Sequence, residues 1–487
     1  MSEALYDIAG VRSIERRAGG DDVRLMELAG QAGWRAVLEA WPQARRIVVA
    51  CGPGNNGGDG YVLARHAHEA GRDVQVVAHA DHAPRTQLAR DAQARLVSAG
   101  GRITMFAGTL PPCDVVVDAV LGIGLSRAPD AGTQSVLDAI HAVRVPVLAL
   151  DVPSGVDAGS GAAHAGAVQA TRTVEFIARK AGLRTGAARG HVGVLQLATL
   201  ELHDDAFAGI TPTAEALHAG DLAQWLQPRR VDSHKGMHGH VACIGGDVGH
   251  GGAIVLCAQA ALRAGAGLVS IRTHAAHVAP ALARLPESMV AAGDVPDAEL
   301  LRSSSVCAIG PGLGQGAWGH AWWDAACRDA RALVVDADAL NLLAATPVSL
   351  PAGTVLTPHP GEAARLLRVD TATVQADRFG AARALVERFQ AVVVLKGAGT
   401  LVAAPGQRTQ LIDAGNAGMA VGGMGDVLAG VIAALRAQGL DAFDAARAGA
   451  LLHAAAGDIA ARDGERGLMP SDLFAPLRRL ANPGTVP

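Results

Sequence analysis

The feature that most constrains this chain is a recurring unit: a short run of Val, Leu and Ala, a glycine-rich turn, then a stretch of helical period. Arg46–Cys51 (RIVVAC), Val74–Ala78, Asp114–Asp118, Val147–Asp151, Thr173–Ala178 and Val192–Leu197 are such runs in the first half. Apolar runs without polar alternation read as strands buried on both faces, and the helices between them supply crossovers of a parallel sheet. The pattern lapses over 206–219 and restarts with Val241–Ile244, Val269–Arg272, Val306–Ile309, Leu333–Asp336, Val355–Thr357 and Val392–Leu395. Two α/β/α three-layer domains are therefore expected, 1–205 and 220–487, with 206–219 as a linker.

Charge and cysteine usage narrow the function classes. The net charge is −4 with no long basic block, so no nucleic-acid footprint is expected. No basic start leads into an apolar segment, and no apolar run is long enough for a bilayer, so no membrane partner is expected. The six cysteines are scattered without a C-x-x-C pair, as reduced thiols of a cytoplasmic protein would be.

Three loops of the first half carry candidate chemistry. Gly52-Pro-Gly-Asn-Asn-Gly-Gly-Asp-Gly60 lies between a strand and a helix, where glycine lets a ligand approach backbone amides and the helix start favours anions. Asp118 ends VVVDA, and Asp151 ends VLALD before Val152-Pro-Ser-Gly155. Ligands of open parallel sheets gather at the carboxyl ends of strands, so Asn56, Asp118, Asp151 and Ser154 are expected to converge. Their oxygens suit a hard cation or a hydroxyl-bearing substrate. Taken singly, each strand-end Asp is equally well explained as a cap or turn residue.

The second half has four such junctions: Gly310-Pro-Gly-Leu-Gly314, Thr357-Pro-His-Pro-Gly-Glu362, Lys396-Gly-Ala-Gly-Thr400, and Gly415 through Asp426. Amides at a helix start cradle phosphate, and an Asp beside them would take the proton of an attacking hydroxyl. His234, His238 and His240 flank Lys235 and are expected on a substrate-side loop, while His66 and His68 are expected at the surface.

GPGNNGGDG, the DAVLGIGLSR stretch, ALDVPSGVD and Phe176-x-x-x-Lys180 resemble the N-terminal, Rossmann-like domain of bifunctional NAD(P)H-hydrate repair enzymes. The resemblance implies epimerisation of R- and S-NAD(P)HX. It implies substrate contacts at Asn55, Asn56, Gly57, Gly58 and Asp59, at Gly122, Ile123, Gly124, Leu125, Ser126, Arg127 and Ala128, and at Asp151. It further implies potassium on Asn56, Asp118 and Ser154. Ile123 departs from the family's usual Thr and removes a hydroxyl. Epimerisation at C6 needs loss and return of a hydroxyl, or ring opening, and Asp151 is the candidate acid/base.

The ordered set HKGMHGHVACIGGD, GPGLGQ, DADALN, TPHPGE, LKGAGT and GNAGMAVGGMGDVLAG is similar to the ribokinase-like ADP/ATP-dependent NAD(P)HX dehydratases over 220–470. That similarity implies substrate contacts at Ala253, Gly312, His359 and Asp426, and an adenine nucleotide on Lys396, Gly397, Ala398, Gly399, Thr400 and Gly425. ADP or ATP, with Mg2+, would phosphorylate the C6 hydroxyl, Asp426 acting as base, and elimination of phosphate would restore the dihydropyridine. Ala417, Val421 and Met424 depart from the family's usual Pro, Thr and Ser or Thr. A homo-oligomer is expected. The competing readings are a vitamin-precursor-type kinase with an accessory domain and a non-catalytic N-terminal binding domain.

Overall fold

The computed structural model describes residues 3–17, 22–79, 83–125 and 127–482, so Ser126 lies outside the described residues. The chain forms two compact units, Ala4–Ala214 and Glu215–Pro487, the latter taking in Met1–Glu3.

In the first unit the described strands form one parallel sheet. Its order is Arg102–Met105, Asp73–Ala78, Arg46–Cys51, Val115–Ala119, Val147–Leu150, Arg172–Phe176 and Val194–Ala198. From Arg46–Cys51 the chain steps outward twice, then returns to lay Val115–Ala119 on the other side of the same strand. A crevice opens between diverging loops at such a reversal. The loops stay close there: Gly52 N donates to Ala119 O (3.0 Å), and a Cβ at Gly52 would lie 1.8 Å from Val120 O. Helix Asn55–Glu69 begins at once, so Asn55 through Asp59 form its first turn and a half, earlier than the glycines suggest. Its Tyr61, Val62 and Leu63 are buried beneath helix Asp22–Ala40.

The second unit has a larger sheet. Its parallel stretch runs Val392–Leu395, Val355–Leu356, Leu333–Val335, Val306–Ile309, His240–Ile244, Leu268–Thr273 and Met289–Ala292. Thr400–Ala403 and Thr409–Ile412 extend it antiparallel, and Ala214–Leu217 follows Thr409–Ile412. Helices Gly251–Arg263 and Met424–Ala437 pack backbone to backbone, since a Cβ at Gly430 would lie 2.0 Å from Cys257 O.

Three expectations need correction. Residues 206–219 are not a plain linker, because Ala214–Leu217 pairs into the larger sheet, with Leu217 O accepting from Asp413 N (3.2 Å). The sequence AEAL has little strand propensity of its own, so tertiary pairing alone makes it a strand. The histidine loop is not on the substrate side. His234 and His238 precede strand His240–Ile244 and sit at its amino end, and His240 itself bonds Ser270 Oγ (2.8 Å). His66 is half-buried, with Nε2 2.7 Å from Glu27 Oε1.

Gly430→Ala forces two helix backbones apart, which costs about 1–3 kcal/mol. The melting transition of the second unit is expected to fall by several degrees in calorimetry, with the first unit's transition unmoved.

Candidate functional sites at two strand-end crevices

The crevice of the first unit is a cavity of about 510 Å³. Asn55, Asn56, Asp59, Gly122, Ile123, Gly124, Leu125 and Asp151 line it, joined by Arg12 and Glu15 from helix Ile8–Arg17. Asp151 and Ile177 end neighbouring strands with φ of +63° and +68°. Each is the centre of a three-residue turn, with Val152 N donating to Leu150 O (2.7 Å) and Ala178 N to Phe176 O (2.7 Å). Left-handed conformations at non-glycine residues cost about 1–3 kcal/mol each and persist only where surroundings enforce them. Here the enforcing group is Lys180, which is fully buried. Its Nζ lies 2.6 Å from Asp151 Oδ1 and donates to Phe176 O (2.8 Å) and Ala178 O (3.2 Å). Phe176 N also donates to Asp151 Oδ1 (3.1 Å), so Oδ2 is the oxygen left over.

Beside this lies an oxygen cluster. Asp118 is fully buried and accepts from Ser154 Oγ (2.6 Å), Ser154 N (2.8 Å) and Val120 N (3.2 Å). Burial pushes its pKa up to about 6, against the pull of the Ser154 hydrogen bonds. Asn56 Nδ2 donates to Leu121 O (3.0 Å), while its buried Oδ1 has no hydrogen-bond partner. Gly57 and Gly58 do not line the cavity. Side chains there would strike Gly52 O at 2.0 Å and the Met26 thioether, so they allow close packing of the turn. Arg127 and Ala128 are exposed and lie off the described lining.

In the second unit Asp336 follows strand Leu333–Val335 and is buried. Lys396 Nζ lies 2.7 Å from Asp336 Oδ1 and 3.8 Å from Glu362 Oε2, and Thr357 Oγ1 donates to Asp336 Oδ1 (2.8 Å). Burial pulls the Lys396 pKa down, but Asp336 and Glu362 outweigh it and hold the ammonium charged. A Cβ at Gly425 would stand 3.1 Å from Lys396 Nζ, so the first turn of helix Met424–Ala437 lies against this pair. Asp426 is on that turn, its pKa pushed up to about 7 by burial and by Asp336, with Lys396 opposing.

The remaining candidates divide between contact and framework. Gly397 and Gly399 take φ of +133° and +64°, and Thr400 Oγ1 donates to Gly397 O (3.0 Å), which closes the loop around Ala398. Buried Arg378 holds this loop from behind by donating to Leu395 O and Lys396 O (3.2 Å each). Gly312 (φ +60°) abuts Ala253, since a Cβ there would come 3.4 Å from the alanine Cβ. His359 is the N-cap of helix Pro360–Leu367: its Nδ1 accepts from Gly361 N (3.0 Å), and Glu362 Oε2 accepts from His359 N (2.7 Å).

Both halves match known families. Residues 22–182 match the YjeF-related protein N-terminus, and 241–479 match NAD(P)H-hydrate dehydratase. The bifunctional NAD(P)H-hydrate repair enzyme of Escherichia coli (strain K12) is 45% identical over 94% of this chain and 89% of that protein. That of Coxiella burnetii is 44% identical over 98% and 99%. The chain belongs to the bifunctional NAD(P)H-hydrate repair enzymes. Among solved structures, the ADP/ATP-dependent NAD(P)H-hydrate dehydratase of Bacillus subtilis, crystallised with ATP/Mg2+, is 28% identical (TM-score 0.50) and covers 54% of this chain and 95% of that one. A ribokinase-like superfamily protein of Enterococcus faecalis has a TM-score of 0.52, with 28% identity over 55% and 96%. The repair enzyme thus pairs an epimerase domain with an ADP/ATP-dependent dehydratase domain, in the α/β architecture expected.

Several groups of the two sites escaped the sequence reading: Glu15 and the ion-pairing role of Lys180 in the epimerase unit, and Asp336, Glu362 and Arg378 in the dehydratase unit. A signal for one of them, Lys180, was present. Lys180, Lys235 and Lys396 are the only lysines among 42 basic residues, and a compact ammonium does what a guanidinium fork cannot. Lys180→Met removes one partner of a buried ion pair, a loss of about 3–5 kcal/mol. Calorimetry of the enzyme is expected to show a lowered first-unit transition, while dehydration of S-NAD(P)HX is retained.

Proposed function

We propose that the first crevice binds hydrated nicotinamide dinucleotide with Asp151 as acid/base for its epimerisation. The second is proposed to use Asp426 as the base that lets the C6 hydroxyl attack an adenine nucleotide. The observation that carries this reading is the placement of Asp426 on a helix-start turn against the Lys396–Asp336 pair. Amides of that turn face developing phosphate charge, and the Lys396 ammonium lies alongside. Hydroxide leaves poorly from C6; once phosphorylated, the oxygen leaves as phosphate and the ring regains its double bond. Mg2+ bound with the nucleotide would neutralise phosphate oxygens, and Lys396 through Thr400 with Gly425 would hold the nucleotide. The small Gly425 fits that role, because a side chain would fill the space beside Lys396. ADP is proposed as the donor, leaving AMP and phosphate.

Asn56, Asp118 and Ser154 fit potassium. Asn56 Oδ1 is buried without a donor, and the other two contribute hard oxygens. Bound there, the ion would offset the Asp118 charge and tie the Leu121 and Ser154 loops to the Asn56 turn.

The direct test mixes the enzyme with both NADHX epimers, K+, Mg2+ and either ADP or ATP, and follows recovery of reduced-nicotinamide absorbance. Full conversion is expected; conversion of the S form alone would remove the epimerase assignment, and none with either donor would remove the dehydratase assignment. A base must be ionised to act, so dehydratase kcat/KM is expected to fall as pH drops through about 7, where Asp426 takes up its proton. Asp426→Asn is expected to lower kcat by at least about 100-fold. Asn56→Ala is expected to abolish the K+-dependent rise in the first unit's melting temperature, measured in KCl against choline chloride.

A further inference from the structure

Moving a hydroxyl from one face of C6 to the other requires one group to take a proton while another gives one. Asp151 is suited to taking it, since Oδ1 is held by the Lys180 ammonium and the Phe176 amide and Oδ2 is left over. A second carboxyl lines the same cavity. Asp59 sits on the second turn of helix Asn55–Glu69, at the edge where the sheet order reverses, and is 8% exposed. Among the described residues no group donates a hydrogen bond to its carboxyl, in contrast to Asp118 and Asp151, which both accept hydrogen bonds. The charged or titratable groups that face it are Asp151, Glu15 and the buried thiol of Cys51. A carboxyl buried without donors and facing other carboxylates keeps its proton, and burial first, then Asp151 and Glu15, hold its pKa well above the ordinary range. Two carboxyls in one cavity, one held by an ammonium and an amide and the other without donors, make an acid and base pair.

We propose that Asp59 is the proton donor that works opposite Asp151 in epimerisation. The assignment rests on the reading of Asp151 as acid/base. In ring opening, the C6 hydroxyl gives its proton to Asp151 as the C6–N1 bond breaks and an aldehyde forms, and N1 takes the Asp59 proton. Rotation about C5–C6 presents the other aldehyde face. N1 then adds back, returning its proton to Asp59, and Asp151 returns the other to oxygen. In hydroxyl loss, the Asp59 proton leaves with the oxygen as water, Asp151 takes a proton from the water that re-adds to the other face, and that proton passes back to Asp59 through water before the next turnover. Either route conserves protons and electrons and needs one neutral acid. Glu15 is the weaker choice, because it is half-buried on helix Ile8–Arg17 and has Arg12 beside it.

The test compares Asp59→Asn, Glu15→Gln and Asp151→Asn in the full-length enzyme, following R/S interconversion without nucleotide and dehydration of purified S-NADHX with ADP. Asp59→Asn is expected to lower epimerisation kcat by about 100-fold or more with KM little changed. The wild-type rate is expected to fall on the alkaline side as Asp59 loses its proton, and Asp59→Asn to lack that fall, while dehydration by the same chain and both melting transitions are retained. Retention of wild-type kcat, or a loss confined to KM with the alkaline limb intact, overturns the proposal. So does loss of kcat in Glu15→Gln with Asp59→Asn active. A further result separates the two readings. If Asp59→Asn is active and Asp151→Asn is dead, only the Asp59 assignment fails; if both are active, the reading of Asp151 fails as well.

Discussion

Both sites are organised by a lysine ammonium paired with the aspartate at a strand's carboxyl end: fully buried Lys180 with Asp151, and half-buried Lys396 with Asp336. An ammonium taken out of water costs several kcal/mol unless its bonds are replaced. In the epimerase unit Lys180 replaces them with one carboxylate and two carbonyls, all from the ends of two neighbouring strands. Those contacts keep two left-handed turns from relaxing. In the dehydratase unit Lys396 is shared by Asp336 and Glu362, and its charge offsets carboxylates that would otherwise repel one another around Asp426.

The parallel sheets explain why such pairs form where they do. The parallel strands all end on the same edge, so aspartates that follow strands far apart in sequence are neighbours in space. Gly52 and Gly430 show what this demands of the chain, since each stands where a Cβ would collide with backbone. Aromatic residues are scarce and Ala, Val and Leu abundant, so helices approach closely enough for backbone contact. The geometry of the loops then depends on helix and strand positions that small side chains set.

Most of the architecture was legible because it rests on local signals. Uniform apolar runs followed by glycine marked the central strands nearly to the residue, and GPGNNGGDG and VGGMGD marked two helix-start turns. The failures have physical causes. Ala214–Leu217 is a strand only because Thr409–Ile412 lies beside it. The loop of His234 and His238 carries residues common in active sites, yet it enters its strand from the amino end. His359 reads as a substrate contact by resemblance, and the structure shows in addition that it caps its own helix. Among the candidates at the first crevice, Gly57 and Gly58 also permit close packing, since a Cβ at either would strike a neighbour.

The sequence by itself determined two α/β units, the strand-end loops and the residues Asp118, Asp151, Lys396 and Asp426, because apolar periodicity, glycine spacing and strand-end position are properties of short segments. Tertiary structure decided the surroundings and orientation of those groups. Lys180 reaches Asp151 across 29 positions, and Lys396 reaches Asp336 across 60. Whether Asp59, Glu362 or Asp426 carries a proton depends on burial and on which charges the fold brings near. Neither burial nor neighbouring charge is a property of a segment, so no reading of the chain alone assigns the acid and the base.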